Sequence, residues 1–439
     1  MSQTLQVTPQ SDIDIRQALS DLLRRWFQER EAPPFVAGET RIPLNVPGFG
    51  WEEVTEALDS LLSARTTMGH KVRCFEELFA AYVGVRHAVM VNSGSSANLL
   101  ALSVLANPAL DGHVQPGDEV ITPALTWATT VFPIVNAGAV PILVDVELDT
   151  FNLDPDAVER AITARTRAIM PVHLLGRPCD MERIQAIARR HNLYLIEDCC
   201  EAHGAETAGR RVGGFGDLAT FSFFFTHHIS TMEGGMLLTN NGEYADLARA
   251  LRVFGWVRDR SDAETIARRH PEIDSRFLFT SAGYNLRPTE LQGAFGIHQI
   301  GKLDGFIEAR RQNARYWRQR LAACSEHLLI HDEAPGTRHV WFGYPLTVRE
   351  GAPFSRRELV DHLEARGLET RPIMAGDISQ QPAMRLLPHR VAGELTNARH
   401  VHENGFFFGN HQGIGPAERE AIAGYIEEFV RKHTRGRVK

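Results

Sequence analysis

Three short stretches carry residue types that could do chemistry. Ser93-Gly94-Ser95-Ser96-Ala97-Asn98 follows an apolar run and precedes a helix-like segment, so its free N–H groups and the positive end of a helix could hold a phosphate. A Gly/Ser turn before a helix also serves simple capping, and taken alone it does not separate the two uses. Glu197-Asp198 closes the apolar run Leu193-Tyr-Leu-Ile, which places Asp198 at the carboxyl end of a buried strand, where open α/β sheets bind their ligands. There a carboxylate could pair with a protonated ring nitrogen, or cap the next helix. Further along, in the stretch that starts at Asp217, comes Thr226-His227-His228, shortly before Glu233-Gly234-Gly235. An imidazole can take and return protons near neutral pH. A pair of adjacent histidines is a poor metal site, because neighbouring side chains point in different directions and no ligand cluster accompanies them.

The elements that must position these groups alternate. Val89–Asn92, Glu119–Thr122, Pro141–Asp145, Ala168–Val172 and Leu193–Glu197 read as buried strands with helical segments between them, the pattern of an α/β domain with a mostly parallel sheet. An amphipathic segment, Ile15 to Gln28, carries Leu19, Leu22, Leu23 and Trp26 at helical spacing before Pro33-Pro34 breaks it. It is expected to pack on the body or on a partner subunit. A long helix-like segment, Thr289 to Arg320, precedes a different order: Trp341–Val348 as strand, Ser355–Ala365 as helix, Glu369–Ile373 as strand, then helices to the end. Residues 1–45 read as an extension, 46–315 as a large domain and 316–439 as a smaller α+β domain.

Composition narrows the function. With 439 residues, 43% hydrophobic and 23% charged, the chain is globular rather than disordered or fibrous. No apolar run reaches the roughly 18 residues of a membrane span, and the first residues lack a signal-like core, so a cytoplasmic location is expected. The net charge of −7 argues against a nucleic-acid partner. Only four of the 47 basic residues are lysine, at 71, 302, 432 and 439. The five cysteines, at 74, 179, 199, 200 and 324, form no C-x-x-C cluster.

The stretch Asp217 to Thr239 together with Glu197-Asp198 resembles the nucleotide-sugar aminotransferase family, over roughly residues 42 to 430. That family is of fold type I and depends on pyridoxal phosphate; the resemblance implies a mostly parallel seven-stranded sheet between helices and a smaller C-terminal α+β domain. It also implies a site in which Gly94, Ser95 and Ser222 hold the cofactor phosphate, Asp198 meets the pyridine nitrogen, Trp127 stacks on the ring and Glu201 lies near its hydroxyl. Asn285 matches the position that reaches the phosphate from a neighbouring subunit, so a homodimer with shared sites is implied. His228, Trp256, Arg371 and His411 are the implied sugar or pyrophosphate neighbours, although Arg371-Pro372 equally reads as an exposed strand end. No metal is expected.

The family keeps a Schiff-base lysine where this chain has His227. Histidine at this point is similar to a small branch of 3-dehydratases of nucleotide-linked 4-keto-6-deoxyhexoses, which hold pyridoxamine phosphate without a covalent bond. An imidazole can shuttle protons as the lysine would, but cannot bind the cofactor covalently. In that branch L-glutamate restores the amine form. Related enzymes with an iron–sulfur cluster carry cysteines between the Glu-Gly-Gly and the small domain; this chain has none between Cys200 and Cys324, so no cluster is expected and the cluster-free, colitose-pathway type is the better match. Met232 before Glu233 departs from the glycine common in aminotransferases, and Thr226 stands in place of a serine. A lysine-dependent aminotransferase with an unusual site and an inactive family member are the competing readings.

Overall fold

The computed structural model describes residues 9–30 and 33–435; Lys439 and the first eight residues lie outside them. The five buried strands read between Val89 and Glu197 form, and they join one sheet. Its order is His87–Val91, Gly235–Thr239, Leu218–Ser222, Tyr194–Asp198, Thr166–Ile169, Glu119–Pro123, Val140–Val144 and Arg390–Val391. All neighbours are parallel except Gly235–Thr239, which runs against both of its partners. Runs such as Val120-Ile121 and Ile142-Leu143-Val144 are wholly buried, because helices cover both faces of a parallel sheet. Seven strands come from residues 87–239, and the C-terminal part adds the short eighth.

Two of these strands, Leu218–Ser222 and Gly235–Thr239, are fully buried and flank the histidine loop, which they hold at the carboxyl end of Leu218–Ser222. The parallel register sets Asp198 beside Thr220, and Gly235 lies opposite both Ser222 and Val91. Asp198, Ser222 and the turn after Val91 therefore reach one edge of the sheet together.

Helix Glu290–Leu321 starts at a capping box in which Thr289 Oγ1 accepts from Gln292 N (3.4 Å) while Gln292 Oε1 accepts from Thr289 N (2.6 Å). Residue 316 lies inside it. The helix packs first on Trp51–Leu62 and His70–Val83, then on Pro416–Arg435. A second, antiparallel sheet, in the order Leu328–Ile330, Gly343–Val348, Gly405–Gly409, Thr370–Pro372, closes over its far end around the buried Trp317 and Tyr344. Where the sequence pattern reads as helix from residue 374 onward, the structure has helix Thr396–Asn404 and then the strand Gly405–Gly409. Phe406, Phe407 and Phe408 are buried on both faces of that strand, so no amphipathic alternation marks it. The N-terminal helix spans Pro9–Gln28 and lies on Trp51–Leu62, with Arg16 paired to Asp59 and Arg24 set 4.3 Å over the Trp51 ring. Among the described residues no helix is long and apolar enough to cross a membrane.

Gly235 is where backbone meets backbone: a Cβ there would fall 2.2 Å from the Ser93 carbonyl oxygen and 2.7 Å from Gly94 N. Gly235→Ala is expected to lower stability by about 1–3 kcal/mol, because neither backbone can yield. Gly424→Ala, in a helix with open space around it, should instead stabilise by about 0.5–1 kcal/mol. Urea midpoints of the two variants against the parent check both signs.

Candidate active site

A cavity of about 550 Å³ opens at the edge where those strand ends meet. It is lined by Gly94, Ser95, Trp127, Asp198, Glu201, Ser222, His227 and Arg371. Helix Gly94–Leu105 begins there, and Ser93 Oγ caps it by accepting from Ser96 N (3.1 Å). The N–H groups of Gly94 and Ser95 belong to the first turn and have no acceptor within the helix. A Cβ on Gly94 would lie 2.4 Å from Ser222 Cβ, so glycine lets the turn close on the serine and sets the Ser222 hydroxyl beside those N–H groups. A phosphate group fits this arrangement of donors.

Asp198 is buried with its carboxylate oriented from three sides. Oδ2 accepts from Asn98 Nδ2 (3.0 Å) and Thr130 Oγ1 (2.8 Å), and Oδ1 accepts from Cys200 N (3.1 Å). Asn98 stands four residues beyond Gly94, on the same helix face, so the element that presents the phosphate donors also holds the acid. Trp127 is 57% exposed at the start of helix Ala128–Asn136, an open indole face over the cavity. A flat, phosphorylated pyridine ring fits between this indole, Asp198 and the turn.

Glu201 presents a carboxyl whose Oε2 accepts from Leu175 N (2.7 Å). Burial and the nearby Asp198 charge push its pKa up to about 8, so at neutral pH it is an acid with a proton to donate. His227 lies on the cavity wall, its ring 5.4 Å from that of Phe342. Its Nδ1 is enclosed by protein without a hydrogen-bond partner, which leaves the Nε2 edge for the cavity. Burial, with the buried Arg310 guanidinium, pushes its pKa down to about 3. The ring is therefore neutral at physiological pH and its lone pair is available.

Arg310 is itself buried. It donates from Nη1 to the carbonyl oxygens of Phe342 (2.9 Å) and Asn410, has no carboxylate partner among the described residues, and is pushed down to about 9 by burial. The loop carrying His227 is pinned from both sides. Asn45 Nδ2 donates to Phe225 O (2.8 Å), and His228 Nε2 donates to Val340 O (3.0 Å). Met232, at the glycine position, has φ +70°, a backbone conformation that glycine adopts at lower cost.

Four expected residues lie apart from the cavity. His228 is buried and turned onto Val340 O. His411 donates from Nε2 to Pro43 O (3.1 Å), fixing the chain that leads to Leu44 and Asn45 on the cavity wall. In both, a buried ring nitrogen takes the nearest carbonyl. Trp256 lines a separate cavity with Arg73, Arg249, Arg252, Arg258 and Arg287. Asn285 is exposed, with Oδ1 accepting from Arg287 Nε (3.0 Å). Sequence reasoning missed Asn45, Asn98, Thr130, Phe342 and Arg310. Only Asn98 had a signal, its i+4 spacing from Gly94.

Among the described residues no lysine lines the cavity. Lys71 is paired with Glu56 (2.9 Å) and Asp59 (2.7 Å), and Lys302 with Glu53 (2.7 Å). His173, Glu197 and Cys199 are grouped closely enough to hold a metal ion. The Glu197 oxygens, however, already accept from Gly213 N, Phe215 N, Gly216 N and His173 Nε2, and burial pushes the Cys199 thiol up, so it stays protonated. The group braces the loop after residue 212.

The chain is similar to known proteins over most of its length. A dTDP-4-dehydro-2,6-dideoxy-D-glucose 3-dehydratase of Saccharopolyspora spinosa is 39% identical over 95% of this chain and 93% of its own length. A GDP-perosamine synthase of Caulobacter vibrioides is 35% identical over 89% of this chain and 98% of its own. The solved E. coli GDP-4-keto-6-deoxy-D-mannose-3-dehydratase with bound hydrated PLP superposes with a TM-score of 0.80 at 33% identity, covering 88% of this chain and 98% of that one. Residues 49–427 match the model of the DegT/DnrJ/EryC1/StrS aminotransferase family. The chain is a member of that family, a sugar-modifying enzyme of the aminotransferase fold that works with pyridoxal or pyridoxamine phosphate.

Proposed function

We propose that this enzyme removes the C3 oxygen of a nucleotide-linked 4-keto-6-deoxyhexose, holding pyridoxamine phosphate without a covalent bond and using L-glutamate to restore the amine. The observation that carries the reading is the identity of the base: among the described residues the cavity is lined by His227 and by no lysine. When bound, the cofactor supplies an amine to the C4 carbonyl and a ring that draws off electrons as a proton leaves the adjacent carbon.

His227 Nε2 takes that proton and then returns it to the oxygen leaving C3, acting as base and acid on one face. The features that keep the ring neutral, burial and Arg310, also make its protonated form short-lived and favour the second transfer. Asp198 keeps the pyridine nitrogen protonated, Gly94 N, Ser95 N and Ser222 Oγ bind the phosphate, and Trp127 covers one face of the ring. Glu201, protonated at neutral pH, meets the ring hydroxyl. Arg371, on the open side of the cavity, is the contact for the substrate's diphosphate. Asn285 completes the phosphate site of a second subunit, which makes the working unit a homodimer.

A sugar aminotransferase is the second reading, supported by the likeness to a GDP-perosamine synthase. Product masses separate the two. Incubated with pyridoxal phosphate, L-glutamate and GDP-, dTDP-, CDP- and UDP-linked 4-keto-6-deoxyhexoses, the enzyme should yield a product lighter than one substrate by one oxygen atom. A product with the keto oxygen replaced by an amine would make it an aminotransferase, and an unchanged panel would argue for an inactive member.

His227→Asn should retain cofactor affinity and lose about 10²–10⁴-fold in turnover, the range spanned by a positioned acid–base group. Equilibrium dialysis with pyridoxal phosphate and steady-state kinetics on the same preparation check the pair. Parental turnover in the variant would remove His227 from the mechanism.

A further inference from the structure

Behind the catalytic loop lies a cluster of packed imidazoles that the proposed proton transfers do not use. His203, in the turn after strand Tyr194–Asp198, is 0% exposed. Phe79, Phe221 and Phe223 surround it, and its ring centroid lies 5.8 Å from that of His227 and 5.5 Å from that of His228. The His203 ring lies near the Ser222 backbone without a hydrogen bond of ordinary geometry, and Nδ1 of His227 and Nδ1 of His228 likewise have none among the described residues. Three neighbouring imidazoles thus keep buried ring nitrogens without a hydrogen bond of ordinary geometry among the described residues. Unsatisfied groups in one enclosure are the setting in which proteins hold an internal water with about three partners.

Proton counting fixes how such a water is oriented. His228 Nε2 faces the Val340 carbonyl (3.0 Å), which can only accept, so in the neutral ring Nε2 carries the hydrogen and Nδ1 the lone pair. For His227 to take a proton at Nε2, its own hydrogen must sit on Nδ1. A water that gives one hydrogen to Nδ1 of His228 and the other to a ring nitrogen of His203 has only lone pairs left, and these accept from His227 Nδ1–H. We propose that His203 is a positioning residue for His227: through one internal water shared with Nδ1 of His228, it holds the hydrogen on Nδ1 of His227 and keeps Nε2 as the lone pair facing the cavity. This role rests on the reading of His227 as the base.

Removing His203 frees one water hydrogen, which can then be donated to Nδ1 of His227 and turn the ring into the inactive tautomer. The test is the ¹⁵N side-chain spectrum of histidine-labelled enzyme loaded with pyridoxal phosphate, with the His227 signals assigned by their loss in His227→Asn. The parent should show the Nδ1–H tautomer at His227. His203→Leu, which suits the apolar cage, should shift it toward Nε2–H and lower kcat about tenfold or more with the sugar KM unchanged. His203→Gln, whose carbonyl oxygen can again accept from the water, should restore both.

An Nε2–H tautomer at His227 in the parent overturns the proposal without any variant. So does a His203→Leu enzyme with parental tautomer and kcat. If the tautomer behaves as expected but the parent consumes no keto-sugar, His203 keeps its hold on the ring and the reading of the reaction is what fails.

Discussion

The site depends on one close approach, that of the Ser93-Gly94 turn to the strand ends carrying Ser222 and Gly235. With side chains at 94 or 235, the turn would strike Ser222 Cβ or its own carbonyl would meet a methyl group. Because both positions are glycine, the first turn of helix Gly94–Leu105 sits against the sheet edge and its N–H groups, the Ser222 hydroxyl and Asn98 all face one space. Asn98 carries the same helix to Asp198. Phosphate donors and ring acid are thus fixed relative to each other by a single rigid element, as a flat cofactor bound at both ends requires.

The loop bearing His227 is held differently, by elements distant in sequence. Asn45 reaches it from the N-terminal side, Val340 from the C-terminal side, and Phe342 lies against the ring while its carbonyl accepts from Arg310. A buried guanidinium without a carboxylate is unusual. Burial pushes His227, His228 and His411 toward the neutral form, and the Arg310 charge adds to it at all three. The residue that ties helix Glu290–Leu321 to the second sheet thereby adds to the burial that keeps the proposed base neutral.

What could be read from the chain follows from which forces are local. The buried strands from Val89 to Glu197 were visible as apolar runs, and helix Glu290–Leu321 as the long helix-like segment Thr289 to Arg320. Phe406-Phe407-Phe408 hid as a strand because burial on both faces removes alternation. The convergence of Gly94, Ser95, Trp127, Asp198, Glu201, Ser222, His227 and Arg371 on one cavity follows from motif and strand-end logic. No local rule told which of two adjacent histidines faces that cavity, since this depends on Val340 accepting from His228 more than a hundred residues away. His411 looked like a sugar contact from its motif, whereas tertiary packing gave its ring to the Pro43 carbonyl. Asn45, Phe342 and Arg310 reach the site only through the folded chain, so their sequence neighbours carry no sign of them.

The central claim is that this member of an aminotransferase family holds its cofactor without a lysine bond. Reduction of the pyridoxal-phosphate-loaded enzyme with borohydride, followed by mass measurement of the intact chain and its peptides, tests it most directly. The account predicts a chain of unmodified mass and cofactor released on unfolding. A reduced phosphopyridoxyl group on Lys71, Lys302 or any other lysine would contradict it.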